Sequence, residues 1–220
     1  METATAELTD RRTERGDVPS PDPQPEIVSA VSAPGDDGVR IRPITVDEYH
    51  RMLEVGILYE REPVELLDGQ LIAMPQEGPL HAGTASAIVE LFVLRFAGRA
   101  AVRAGNPLTL PPISEPQPDV ALVRRRESAY LDAHPGSEDV FLTVEISRTT
   151  LRYDRGRKLG VYAKAGIPEV WIIDLVHRQV EIFRDPAGDT YASARVASND
   201  EAIAPRAFPD DAIPVTTLLP

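Results

Sequence analysis

The sequence contains no cysteine, one tryptophan and, at 5%, few aromatic residues of any kind. Each scarcity closes off a class of function. Without thiols there is no disulfide framework, no Cys-ligated zinc and no thiol nucleophile. A single Trp argues against the sugar-stacking cleft that a carboxylate-pair glycosidase uses. No apolar run approaches the roughly 20 residues of a membrane-spanning helix. The opening METATAELTDRRTERGD has no apolar centre that would serve as a signal peptide. The expectation is a soluble, cytoplasmic protein without a membrane partner.

What is present is enough for one substantial core: 42% of the 220 residues are hydrophobic. The 21 Pro and 14 Gly require that part of the chain is loop or tail. Residues 1–40 hold nine acids and four bases among Pro, Ser, Thr and Ala, with no hydrophobic period. They read as a disordered leader, and residues 41–220 as the folded domain. A net charge of −12 argues against blanket nucleic-acid binding. The charge is uneven, however. Within residues 148–164, Arg148, Arg152, Arg155, Arg157, Lys158 and Lys164 stand against Asp154 alone. Such a run is either a solvated helix face or an anion-binding patch.

Local patterns divide the domain. Thr45, three residues before Glu48, is a capping-box signature for a short helix. In VELLDGQLIAM, two apolar runs flank Asp68-Gly69, a two-residue hairpin signal. Residues 81–97 place Ala85, Ile88, Leu91, Phe92 and Phe96 at helical spacing. AAVRAGNPLTL and QPDVALVRR read as strands. In DVFLTVEIS, Val140, Leu142, Val144 and Ile146 share one face, and Phe141, Thr143, Glu145 and Ser147 the other. A helix follows from about Arg152 to Ala165, stopped by Gly166 and Pro168. EVWIID and QVEIFRD form a hairpin, and YASARV and IPVTTLL are weaker strand candidates. The sum is an α+β domain with a mixed sheet.

Two carboxylates stand out in that scheme. Glu145 lies in a core strand, where an unpaired carboxylate costs several kcal/mol unless it is paired or binds a metal. Asp119 begins a neighbouring strand and shares a face with Ala121 and Val123. Two acids at the ends of adjacent core strands commonly hold a hard divalent cation such as Mg²⁺. Lys158 recurs with Asp154 and Tyr162 at four-residue spacing, and its side chain tilts back toward the strand that feeds the helix. A lysine there would position a water or neutralise a developing anion. Arg148, Arg152 and Arg155 would then contact phosphates. The plainer alternatives are that Glu145 forms a structural ion pair, that Lys158 pairs with Asp154 at the surface, and that Asp154 only decorates the first turn. Tyr153, Tyr162 and Trp171 read as core, and Asp174 as the start of a turn.

QPDV (117–120), VEIS (144–147), YDRGRKLGVYAKAG (153–166) and IPEVWIID (167–174), with VELLDGQLI (64–72) upstream, resemble the Uma2 family. These are restriction-endonuclease-like proteins of the PD-(D/E)XK nuclease superfamily. The resemblance covers about residues 42–216. Pro-Asp alone is uninformative; the ordered combination is specific.

The resemblance implies an α/β sandwich-like core and an Mg²⁺- or Mn²⁺-dependent endonuclease acting on nucleic acid, most naturally DNA. It implies Asp119 and Glu145 as metal ligands, Glu65 as a further metal or water ligand and His81 as a catalytic-site residue at the start of its helix. The superfamily's usual lysine position is Ser147 here, which makes Lys158 the counterpart. Ser147-Arg148 stands where the family commonly has Ser-Pro, and Gln70 where it often has Glu. A symmetric double-strand cut would need two sites, which a homodimer would supply. The competing reading is a silent nucleic-acid-binding or regulatory module on the same fold.

Overall fold

The computed structural model describes residues 41–59 and 62–220. The expected leader, residues 1–40, lies outside the described residues. Helix α1 (Val46–Glu54) begins at the anticipated capping box. The Thr45 hydroxyl accepts from the Glu48 amide at 3.1 Å, and the Glu48 carboxylate accepts from the Thr45 amide at 3.0 Å. Strands β1 (Val64–Leu67) and β2 (Gln70–Ala73) form the Asp68-Gly69 hairpin. Both turn residues have positive φ, 47° and 72°, the geometry that favours Asp-Gly. A Cβ at Gly69 would also collide with Pro43 at 2.2 Å.

Helix α2 (Pro79–Phe96) starts two residues before the periodic stretch because Pro79 fits the first helical turn. It lies on a six-stranded sheet whose order follows the chain: β3 (Ala101–Ala104), β4 (Val120–Val123), β5 (Val140–Ser147), β6 (Glu169–Asp174), β7 (Gln179–Ala187) and β8 (Thr190–Ala197). All neighbours are antiparallel except β5 and β6. A parallel pair needs a crossover, here a composite helix of one α-turn (Leu151–Tyr153), a π-turn (Asp154–Lys158) and an α-helix (Leu159–Lys164). The tail candidate YASARV is the full edge strand β8. By contrast, only Ile213–Pro214 of IPVTTLL is extended, as β10 against β9 (Ala202–Ile203).

The sheet has two unlike faces. Toward α2, Leu142, Val144 and Ile146 pack with Ile88, Phe92, Phe96, Trp171 and Ile173. Burial of side chains that size contributes about 1.5–3 kcal/mol each. Toward the composite helix, Ala121, Val170 and Ile172 pack with Leu159, Val161 and Tyr162. Val140 does not share the face of Leu142 as strict alternation requires; it joins the composite-helix side. A register irregularity at Leu122/Val123 pairs Val123 with Val140 and Leu122 with Leu142, which switches the phase.

Candidate active site

Near the end of β5, the composite-helix face carries Glu145, buried to 3% exposure. Antiparallel pairing of Val120 with Val144 brings the start of β4 beside that end. Asp119, just before β4, accepts the Ile146 amide at 2.6 Å, which locks it against β5. On the composite helix, the Leu159 amide bonds the Asp154 carbonyl, the i→i−5 pattern of a π-turn. Such a turn is a frequent companion of functional sites. It carries Lys158, also buried, whose Nζ donates to Glu145 Oε2 at 3.0 Å and to the Gln117 carbonyl at 3.2 Å. Glu65 Oε1 of strand β1 lies 3.2 Å from the same ammonium.

Glu65, His81, Asp119, Glu145, Lys158 and Arg148 line one cleft of about 640 Å³. Three acids, a histidine, a lysine and an arginine from β1, α2, the β4 start, β5, the loop after β5 and the composite helix therefore meet in one concavity. Of the arginines expected to contact phosphates, Arg148 is exposed on the cleft wall and Arg152 is exposed on the helix. Arg155 is engaged by Glu181 of β7, its Nε donating at 2.7 Å. Arg157 serves the fold: it reaches the Leu67 carbonyl at 2.9 Å and Gln70 at 2.8 Å, tying the helix to the β1–β2 hairpin.

The cluster carries more acid than base. Burial raises the Glu145 carboxyl well above the ordinary range, against the pull of Lys158. Burial likewise raises Glu65. Burial would depress Lys158, but Glu145, Glu65 and Asp119 outweigh it and hold the ammonium charged. Both directions have one cause: two carboxylates share one ammonium in a place with little water, so the group takes up positive charge. Glu65 Oε2 is buried without a hydrogen-bond partner among the described residues. Orphaned buried oxygens are costly and call for a ligand. The oxygen-rich donor set Glu65, Asp119 and Glu145 suits a hard divalent cation.

Sequence reading missed several participants. Tyr162, assigned to the core, is fully buried, yet its hydroxyl donates to Glu145 Oε1 at 2.5 Å. Burial raises its pKa well above the usual range, so it remains a donor. Its four-residue spacing from Lys158 was the available signal. Asp154 is not surface decoration but buried, accepting from Ser147 Oγ and, at 2.7 Å, from Thr150 Oγ1. It holds the strand end to the helix start. His81 Nε2 lies 3.1 Å from Asp119 Oδ2, and this contact raises the imidazole pKa. Glu77, four residues before His81, brings Oε2 to 3.3 Å from His81 Nδ1. It was hidden because Gly78-Pro79 separates it from the helical pattern. Asp174, read as a turn residue, does bond the Val176 and His177 amides at 3.0 Å each.

Residues 46–216 match the model of a family, Uma2, described as "putative restriction endonuclease". No curated protein matches the chain. Among solved structures, "a putative nuclease belonging to DUF820" from Anabaena variabilis ATCC 29413 superposes with a TM-score of 0.63. The match covers 80% of this chain and 97% of that one at 20% identity, a likeness of fold. The mixed sheet flanked by helices is thus the restriction-endonuclease-like α+β architecture the motifs implied. With nearly all of the described residues inside the family match, the chain belongs to the Uma2 family.

Proposed function

We propose that the protein is a divalent-metal-dependent nuclease, an endonuclease acting on DNA. The observation that carries this reading is the convergence of Glu65, Asp119, Glu145 and Lys158 on one cleft whose wall bears Arg148. Asp119, Glu145 and Glu65 would hold Mg²⁺ or Mn²⁺. When bound, such an ion acidifies water and polarises a phosphoryl oxygen. Lys158 stays protonated and offers a fixed positive charge and a hydrogen bond to a water or a phosphoryl oxygen. Tyr162 fixes one oxygen of Glu145 and leaves the other to Lys158 or a cation. His81 orients Asp119, and Arg148 and Arg152 meet the phosphates that flank the reacting one. Arg155 joins them only on leaving Glu181. A double-strand cut would require two such clefts, hence a homodimer on DNA.

The test is cleavage of supercoiled and linear DNA by the full chain with Mg²⁺, with Mn²⁺ and with chelator. Asp119→Ala and Glu145→Gln should reduce cleavage to background. Lys158→Met should lower it by about 10²–10⁴-fold. A second reading has its own support. Lys158 already bridges Glu145 and Glu65 at 3.0 and 3.2 Å, as an internal cation would in a silent binding module. DNA affinity that survives Glu145→Gln, with no cleavage by the parent protein, would establish that alternative.

A further inference from the structure

The cleft has a second donor group at its mouth, apart from the Glu65–Lys158–Glu145 triad. Glu77 and His81 stand four residues apart and face each other across the entry to α2. His81 presents both ring nitrogens to carboxylates, Nδ1 to Glu77 at 3.3 Å and Nε2 to Asp119 at 3.1 Å. One donor atom from each of the three lies within 4.8 Å of the others. Nδ1 is buried, and its approach to Glu77 lacks hydrogen-bond geometry, so it has no partner among the described residues. Independently, the Glu65 side chain, 4% exposed, lines the same cleft, and its buried Oε2 has no partner among the described residues. The charge of Asp119 is near enough to act on it.

We propose that Glu77, His81 and Asp119 ligate a divalent cation at the cleft mouth, and that the imidazole makes the site select Mn²⁺ over Mg²⁺. Mg²⁺ takes oxygen ligands almost exclusively and gives up water reluctantly. Imidazole suits the transition metals, whose affinity for nitrogen-containing sites rises along the series from Mn²⁺. Asp119 belongs both to this group and to the Glu65–Asp119–Glu145 donor set, so an ion held at the mouth would share a ligand with that set. Glu77, more than half exposed, is the outermost ligand and the first to meet an entering ion. The inference rests on reading the cleft as a metal centre, and not on that centre cleaving DNA.

Two readouts on the metal-stripped full chain test it. Calorimetric titration with MnCl₂ and with MgCl₂ gives the affinities. Pulsed electron paramagnetic resonance of the Mn²⁺-loaded protein shows whether a ligand nitrogen modulates the echo. Nitrogen modulation is expected in the parent and absent in His81→Ala. Mn²⁺ affinity should fall at least about tenfold in that variant, since even outer-shell partners of ligands are worth about 10–100-fold. Mg²⁺ affinity should change far less. Glu77→Gln, at an exposed position that folding tolerates, should weaken Mn²⁺ binding while keeping the nitrogen signal. Mn²⁺ binding without nitrogen modulation, or unaltered in both variants, overturns the proposal. Cleavage assayed on the same samples separates the two readings. A nitrogen signal without cleavage in either metal leaves this site standing and sinks the nuclease reading. Cleavage by a parent that shows no nitrogen signal does the opposite.

Discussion

Glu169 and Glu145 are both buried glutamates on adjacent parallel strands, but they face opposite sides of the sheet. On the α2 side, Glu169 is fully provided for. Its Oε1 accepts from Trp171 Nε1 at 2.8 Å and Arg184 Nε at 2.8 Å, and its Oε2 accepts from the Arg206 amide at 2.6 Å. Its partner Trp171 also belongs to the hydrophobic core on that side, in edge-to-face contact with Phe92, which in turn meets Phe96. Glu145 instead shares one ammonium with Glu65, whose second oxygen has no partner. One glutamate is a finished structural joint. The other belongs to a group that remains short of positive charge. The difference separates a buried acid that holds the tail to β6 from one available to a cation, although both are almost fully buried.

Conservative substitution of each glutamate breaks that comparison most sharply. Glu145→Gln should abolish DNA cleavage yet leave unfolding free energy unchanged or raised, because it leaves Lys158 and Glu65 as a one-to-one pair. Glu169→Gln should do the reverse, retaining cleavage while losing about 1.5–3 kcal/mol with its charge-assisted bonds. Paired cleavage assays and chemical denaturation decide between them. If both variants lose stability equally, the contrast between the two faces is mistaken.

Removing the shared cation is the next largest effect. Lys158→Met should destabilise by about 3–5 kcal/mol, since it strands Glu65 and Glu145 without compensation. The loss should shrink when Mn²⁺ is added, and denaturant titrations with and without metal measure this directly.

Asp174 tests the same face away from the cleft. Burial would raise its pKa, but bonds from the His177 amide and ring and the Val176 amide outweigh burial and lower it. A depressed acid stabilises the fold above its unfolded pKa, about 3.9, and that contribution disappears as pH falls through the folded value. Asp174→Asn should therefore be less stable than the parent at pH 7, with the difference closing below about pH 4. Thermal melts across that range provide the check. The smallest effect belongs to the cap of α1: Thr45→Ala should cost about 1 kcal/mol without touching cleavage.

Much of the fold was legible because its local rules are strong. The Thr45–Glu48 box, the Asp68-Gly69 turn and the alternation of LTVEIS each specify their own conformation within a few residues. The site was legible where a charged residue sat against its pattern, as Glu145 does in a core strand and Asp119 beside one. Glu77 and Tyr162 carried no such mark. One lies in a short Pro- and Gly-containing loop before α2, and the other fills an apolar helical position as any aromatic would.

The sequence by itself determined the elements, the mixed sheet and the acids and lysine that converge, because hydrophobic period and turn chemistry act over short spans. Only the tertiary structure decided which charges meet. Strand register brought Asp119 to the Ile146 amide, the bulge moved Val140 to the other face, and β7 placed Glu181 where it captures Arg155. Each depends on contacts between residues far apart in the chain, and a pairwise distance of a few ångströms settles whether a carboxylate is neutralised, orphaned or free to bind.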